Sequence, residues 1–270
     1  MTLSPTILPS IAVKAWKEPF VDNDIASNIL YNSISSDDLN FIRVTENGEE
    51  LIDLKNINHP RLKPLSSMDH TILDLDPNCS KVRFGVFKRL LNMLDLLPEN
   101  IGIAYFEGLR PLYLQKQYFD KKFKEMASII ENAESAYIEA SKSVAPFIDN
   151  IPPHSTGGAI DMTLYKCVDF NYIPLDMGKF DVTTGEKNQQ ETFSENTSKE
   201  QRINRLLLVN AAIKAGFVNY GFEWWHYSYG DRAWAYVLKK DETLYDMAVS
   251  KDDPILLIKK SEYIKSILSF

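Results

Sequence analysis

Cysteine and long apolar runs are scarce in this chain, and each scarcity excludes a class of protein. Its 270 residues include two cysteines, Cys79 and Cys167, which lie in unrelated segments without Cys-x-x-Cys spacing. Thiolate metal sites and redox motifs are therefore not expected. The pattern predicts two free thiols, as is usual in a reducing compartment, and the alternative is a single disulfide between them. No run of 18 or more apolar residues is present, so the sequence predicts no transmembrane helix.

Basic clusters and targeting patterns are missing as well. The formal net charge is −7 at pH 7, and the lysine pairs at 121–122 and 259–260 are too sparse to form a basic surface. A nucleic-acid partner is therefore not expected. Residues 1–20 carry no apolar run preceded by positive charge, which excludes a recognisable signal peptide. We expect a cytoplasmic protein with no membrane partner.

Two segments contain the residue types of a catalytic metal site. The first holds His154 and Asp161, and the second holds Glu223 and His226; the two histidines are half of the four in the chain. A catalytic zinc keeps three protein ligands and an open position for water. His154, Asp161 and His226 could be those ligands, and Glu223 would be near enough to act as a general base without binding the metal.

The residues around Asp161 predict a buried strand. Gly157 and Gly158 can form a tight turn, and residues 159–164 are mostly apolar. Burying a carboxylate in such a strand is costly unless it is paired, hydrogen-bonded or bound to a metal. The alternative for the second segment is ordinary packing, because a histidine beside Trp224 and Trp225 is more often a core residue than a ligand.

Four sequence blocks carry a resemblance to known enzymes. They are residues 104–111 (AYFEGLRP), 154–164 (HSTGGAIDMTL), 175–181 (LDMGKFD) and 217–236 (FVNYGFEWWHYSYGDRAWAY). Their order and content resemble the D-alanyl-D-alanine dipeptidase family of zinc peptidases, which includes the dipeptidases of vancomycin resistance. The resemblance spans roughly residues 83–240.

The resemblance implies a role for each matching residue. It makes His154, Asp161 and His226 the ligands of one Zn²⁺ per chain and Glu223 the catalytic base. It also makes Arg110 the cation that polarises the scissile carbonyl, where a fixed positive charge stabilises the transition state more than the ground state. Without the resemblance, Arg110 would be interpreted as an ordinary surface arginine before a helix.

A dipeptidase must also recognise a free amino terminus. The resemblance assigns this task to Asp176, whose carboxylate could form a charge-assisted hydrogen bond with the amine. The alternative is a loop aspartate that caps a turn. Three positions depart from the family pattern: Glu107 replaces the usual Asp, Leu109 replaces an aromatic residue, and Pro152 replaces a serine whose hydroxyl could bind the substrate carboxylate.

The function implied is zinc-dependent hydrolysis of the D-Ala-D-Ala dipeptide, with a small D-amino-acid peptide as the partner. Two alternatives stay open. One is a D,D- or L,D-carboxypeptidase acting on peptidoglycan stem peptides, and the other is a zinc-binding module without catalysis. A purely structural zinc would need neither Glu223 nor Arg110, so their presence favours an enzyme. The sequence does not indicate the oligomeric state.

The fold implied is α+β, with a small antiparallel sheet that carries the zinc site between flanking helices, similar to the hedgehog signalling domain. We expect an extended lead-in over residues 1–80 packed on a catalytic core over 81–240, and a helical extension over 241–270. Local patterns predict helices at 84–97, in one or two pieces from 111 to about 145, at 198–216 and at 255–270. Strands are predicted at 101–106, 159–164, 217–220 and 223–226.

Overall fold

The computed structural model of the protein describes residues 27–30, 39, 41–65, 76–141, 143–148, 150–168, 171–179, 187–248 and 253–268. Much of the predicted lead-in, and Phe180 and Asp181 of the block at 175–181, lie outside these ranges. The strands are β1 Ile29–Leu30, β2 Leu51–Asp53, β3 Leu62–Pro64, β4 Lys81–Arg83, β5 Ile101–Glu107, β6 Ala159–Val168, β7 Asn171–Pro174, β8 Val218–Tyr220 and β9 His226–Ser228. The helices are α1 Phe84–Leu96, α2 Leu112–Ala127, α3 Ala133–Ser141, α4 Lys187–Gln190, α5 Lys199–Lys214, α6 Arg232–Val237 and α7 Lys260–Leu268.

The main sheet of the described residues has seven strands and is mixed. Its order is β1-β8-β9-β6-β5-β3, and β7 pairs with the outer half of β6. The prediction of an α+β fold is confirmed, but that of a small antiparallel sheet is wrong. β1 runs parallel to β8 and β3 runs parallel to β5. Both added strands come from the lead-in, and pairing between such distant segments leaves no local sequence pattern.

Strand β6 lies at the centre of the sheet. It pairs antiparallel with β5 on one side and with β9 and β7 on the other. Its first seven residues are buried, as the apolar run predicted, and its last three are exposed. The register places Asp161 opposite Glu107 of β5 and opposite His226 of β9. Residues of three adjacent strands, β5, β6 and β9, therefore lie side by side at Asp161.

Helices α1 and α5 pack against each other and on the sheet. The predicted helix at 84–97 is confirmed as α1, which buries Leu90 and Met93. The predicted capping box opens α5: the Ser198 hydroxyl accepts from the Gln201 backbone N–H, and the Gln201 side chain accepts from the Ser198 N–H. After α5, Gly216 takes a φ of +97°, which ends the helix at little steric cost.

A second apolar cluster joins α2, α3 and α7. The segment from 111 to about 145 forms two helices, and Pro111 is the residue before the first helical position rather than at it. Phe119 and Phe123 of α2 pack around Tyr263 of α7, with ring centroids 6.2 and 6.0 Å from the tyrosine ring. The region predicted as a C-terminal helical extension thus contains α7, which packs on α2.

Both cysteines are free thiols, as expected; Cys79 is buried and Cys167 is exposed. Within the described ranges, every helix is too short or too polar to cross a membrane.

Candidate metal centre

His154 lies in a tight turn immediately before β6, the central strand of the sheet. The residue lies in a 3₁₀ helix, Pro153–Thr156, which ends at Gly157 with a φ of +72°. Gly158 follows against the backbone, since a Cβ there would lie 2.5 Å from the Tyr229 carbonyl oxygen. The Gly-Gly turn predicted from sequence is confirmed, and only this pair lets the chain pass directly from His154 into β6.

His226 is the first residue of β9, directly beside Asp161. The prediction of a strand over 223–226 is wrong for its first three residues, because Glu223–Trp225 form a turn. The buried side chain of Asn219 fixes this turn by donating to the carbonyl oxygens of Glu223 and His226, at 3.2 and 3.0 Å. A strand would place Glu223 and His226 on opposite faces of the sheet.

The side chains of His154, Asp161 and His226 converge in a buried cluster. His154 Nε2 lies 3.0 Å from His226 Nδ1 and 3.3 Å from Asp161 Oδ1, and His226 Nδ1 lies 3.0 Å from the same oxygen. In a tetrahedral site with bonds of about 2.0–2.1 Å, ligand atoms are separated by about 3.3 Å. The three atoms therefore have the composition and spacing of a zinc ligand set, and they form a possible metal-binding group.

Each imidazole has one nitrogen that faces the cluster, His154 Nε2 or His226 Nδ1, and an outer nitrogen that faces away from it. The hydrogen-bond partners of the outer nitrogens indicate which nitrogens are available as ligands. His154 Nδ1 lies 2.8 Å from the Gly108 carbonyl oxygen, which can only accept, so this nitrogen carries the proton. His226 Nε2 lies 3.4 Å from the Ser228 hydroxyl. When His226 likewise carries its proton on Nε2, two nitrogen lone pairs and a carboxylate oxygen face one another. Such an arrangement fits a cation, and hydrogen bonds of this kind orient metal-binding histidines.

Asp161 is held in its charged form. Burial alone would raise its pKa, but in the metal-free protein the positive charge and the N–H groups of His154 and His226, when these are protonated, hold the pKa of this carboxyl well below its usual value. The cluster therefore presents a negative oxygen to a cation.

Glu223 lies close to this cluster without joining it. Burial raises the pKa of its carboxyl to about 7 in the absence of a cation, while His226 and Arg110 act in the opposite direction. The influence of those two groups shows that Glu223 shares their electrostatic environment. A carboxyl poised in this way can accept or give a proton near neutral pH.

Arg110 follows the end of β5, and its backbone is hydrogen-bonded to the turn that contains His154. Its backbone N–H donates to the His154 carbonyl oxygen at 3.2 Å, and its own carbonyl oxygen accepts from the Ser155 hydroxyl at 3.0 Å. The carboxylate of Glu107, which is fully buried, accepts hydrogen bonds from Arg110 Nε, at 2.7 Å, and from Arg110 Nη2. The longer acid that replaces the usual aspartate therefore forms a bidentate pair. Despite burial, Glu107 raises the pKa of Arg110.

Comparison with known proteins agrees with this geometry. The family described as D-Ala-D-Ala dipeptidase matches residues 123–250. A D-alanyl-D-alanine dipeptidase of Synechocystis sp. is 32% identical over 180 residues, covering 57% of this chain and 71% of the relative. The chain belongs to the D-Ala-D-Ala dipeptidase family. A D-alanyl-D-alanine dipeptidase of Enterococcus faecium is 23% identical over 131 residues, covering 48% of this chain and 62% of the relative.

Among the described residues, the hydrogen bonds of Asp176 do not involve the cluster of His154, Asp161 and His226. Its exposed carboxylate accepts from the Gly178 N–H at 2.8 Å and from Gln201 Nε2 at 3.0 and 3.1 Å. Next to it, the Met177 carbonyl oxygen accepts from the buried Arg205. Asp176 thus caps a local turn, as the alternative interpretation held, and its role toward substrate stays a prediction.

Two supporting residues, Asn219 and Gln115, were not predicted from the sequence. Asn219 fixes the turn between Glu223 and His226. Oε1 of Gln115, in α2, accepts a hydrogen bond from Arg110 Nη1 at 2.8 Å. The sequence did contain an indication of the role of Gln115, because this polar residue interrupts a helical stripe of buried apolar residues that includes Leu112 and Phe119. A buried amide on such a stripe needs polar partners. Asn219 lies in a three-residue strand, where no periodicity is available to distinguish it.

Proposed function

We propose that this chain is a zinc-dependent dipeptidase that hydrolyses D-Ala-D-Ala, with Zn²⁺ held by His154, Asp161 and His226. The observation that supports it is the convergence of three ligand atoms within 3.3 Å, beside a titratable carboxyl and a fixed guanidinium. The substrate class is taken from the family and its named relatives. Nitrogen and carboxylate donors suit several divalent metals, and zinc agrees best with this set.

Glu223 is the general base in this proposal. Bound zinc supplies Lewis acidity, which makes a water more acidic and polarises a carbonyl oxygen. Glu223 accepts the proton of the attacking water and then gives it to the amine that leaves. One carboxyl can perform both transfers, because the proton that it accepts from water is the one that it later gives to the amine.

Arg110 stabilises the charge that develops on the former carbonyl oxygen. The bidentate pair with Glu107 fixes the guanidinium before the substrate binds, so little reorganisation is needed during the reaction. Its raised pKa means that it stays charged throughout.

Asp176 binds the free amino terminus of the substrate in this proposal. An ammonium group would add a charge-assisted hydrogen bond to the carboxylate that Gln201 and Gly178 already orient. A longer peptide has an amide at this point and gains no such bond, which would select dipeptides.

A comparison of three substrates, each incubated separately, tests the proposal. The purified protein is incubated with Zn²⁺ and free D-Ala-D-Ala, with a pentapeptide that ends in the same bond, or with L-Ala-L-Ala as a stereochemical control. We expect release of D-alanine from the D,D-dipeptide alone. Cleavage of only the pentapeptide would indicate a carboxypeptidase, and no hydrolysis by zinc-loaded protein would indicate a binding module.

A further inference from the structure

We propose that Gln115 is a positioning residue for Arg110, an inference that rests on the proposed function of Arg110. Gln115 is fully buried in the first turns of α2. Its Oε1 accepts from Nη1 of Arg110 at 2.8 Å, and its Nε2 donates to the Ala145 carbonyl oxygen at 2.6 Å. The amide therefore joins the guanidinium to the backbone of the segment that leads to His154.

The donors of Arg110 show what this contact adds. A guanidinium has five N–H groups. Glu107 occupies the edge formed by Nε and Nη2, and Gln115 receives one N–H of Nη1. Among the described residues, the other two N–H groups have no acceptor. One is on Nη1 and one is on Nη2, and both can donate to a developing oxyanion.

The anchor on Ala145 fixes the orientation of the amide. Because the Ala145 carbonyl can only accept, the NH₂ group of Gln115 must face it and the amide oxygen must face Arg110. A glutamate at this position would place a second negative charge beside Arg110, which Glu107 already neutralises, and would have no N–H for Ala145. Glutamine meets both requirements without changing the charge of the site.

A second acceptor competes for the guanidinium. The Asp161 charge also acts on Arg110, and the ring of Tyr118 lies 4.9 Å from its Cζ. Without Gln115, Nη1 would lose the partner that holds it away from Asp161. The expected result is loss of transition-state stabilisation, with little change in substrate binding.

A double-mutant cycle of Gln115→Met and Arg110→Ala tests this role. Methionine keeps the length of the side chain and removes both hydrogen bonds. We expect Gln115→Met to lower kcat about 10- to 100-fold, the range for supporting residues of this kind, with KM and zinc content near those of wild type. In the Arg110→Ala background, the same substitution should lower kcat no further. Melting temperatures are measured for all four proteins.

The outcomes separate this inference from the proposed function. An equal fractional loss of kcat in both backgrounds would mean that Gln115 has only a structural role, and would overturn the inference. So would normal kcat in Gln115→Met when Arg110→Ala is slow, which would leave the proposed function intact. If Arg110→Ala itself keeps normal kcat, the role of Arg110 is wrong and the inference ends with it. If Gln115→Met does not fold, Gln115→Leu, which also removes both hydrogen bonds, takes its place in the same cycle.

Discussion

At the scale of single residues, the site depends on where the imidazole protons lie. The Gly108 carbonyl assigns the His154 proton to Nδ1, and the Ser228 hydroxyl oxygen can accept a hydrogen bond from His226 Nε2–H. The two inner nitrogens then meet Asp161 without any proton between them. A cation bound in this position would remove the repulsion between three electron-rich atoms and would offset the cost of burying these polar groups.

Replacing Glu223 by glutamine should separate catalysis from metal binding. The amide keeps the shape of the side chain but cannot accept the proton of water, so we expect kcat to fall by roughly 10²–10⁴. Zinc content should stay at one per chain, because Glu223 is not a ligand in the proposal. Steady-state kinetics with D-Ala-D-Ala and elemental analysis measure both quantities, and turnover equal to wild type would remove Glu223 from its assigned role.

Replacing His226 by alanine should have the opposite effect on the metal. The substitution removes one of three donor atoms and leaves Asp161 with a single imidazole beside it. We expect zinc to be lost during dialysis, and activity with it. Asn219→Ala is a suitable control, since it loosens the same turn without removing a ligand. Stoichiometric zinc in His226→Ala would contradict the assignment.

The sequence predicted which residues would meet at the site better than it predicted how they are supported. His154, Asp161, Glu223, His226 and Arg110 lie in short motifs that are visible in a single chain. Gln115 and Asn219 act through contacts with residues that are separate in sequence or held in irregular turns. Such contacts are set by tertiary packing, and a local pattern does not contain them.

At the scale of elements, the strand register carries the site. An irregularity in β5 between Tyr105 and Glu107 shifts the pairing with β6, so that Glu107 rather than Phe106 stands opposite Asp161. Bulges of this kind re-aim side chains next to active sites. The apolar run predicted β5 as a strand, but neither its irregularity nor its parallel neighbour β3 could be derived from it. Helices α1 and α5 were predicted closely because their signals are local.

The capping box of α5 gives a prediction that separates stability from substrate binding. Ser198→Ala removes the hydroxyl that caps the helix and should reduce the free energy of unfolding by about 1 kcal/mol. Gln201→Ala removes the other half of the box and also the amide that holds Asp176. We expect both variants to lose similar stability in urea denaturation, but only Gln201→Ala to raise KM. Equal KM values would argue against a role of Asp176 in binding.

At the scale of the whole molecule, the proposed metal would tie together segments that are distant in sequence. His154, Asp161 and His226 belong to a turn and to two strands, and the loop from Asp161 to His226 contains α4 and α5. A ligand that binds only the folded state stabilises it by mass action. The metal is therefore expected to contribute to the stability of the fold as well as to catalysis.

Removing the metal should lower the melting temperature. With free zinc at 100 times its dissociation constant, binding adds about 2.7 kcal/mol, which corresponds to a shift of roughly 5–10 °C for a protein of this size. Calorimetry with and without a chelator measures the shift. The His226→Ala variant should be insensitive to the chelator, and an equal shift in that variant would mean that the stabilising metal binds elsewhere.

The central claim is that one zinc ion is bound by His154, Asp161 and His226, and anomalous diffraction at the zinc absorption edge tests it most directly. Crystals of protein purified with zinc should show one strong anomalous peak per chain, about 2.0–2.2 Å from His154 Nε2, His226 Nδ1 and an Asp161 carboxylate oxygen. The absence of a peak at these three atoms, or a peak at another group of side chains, would contradict the account.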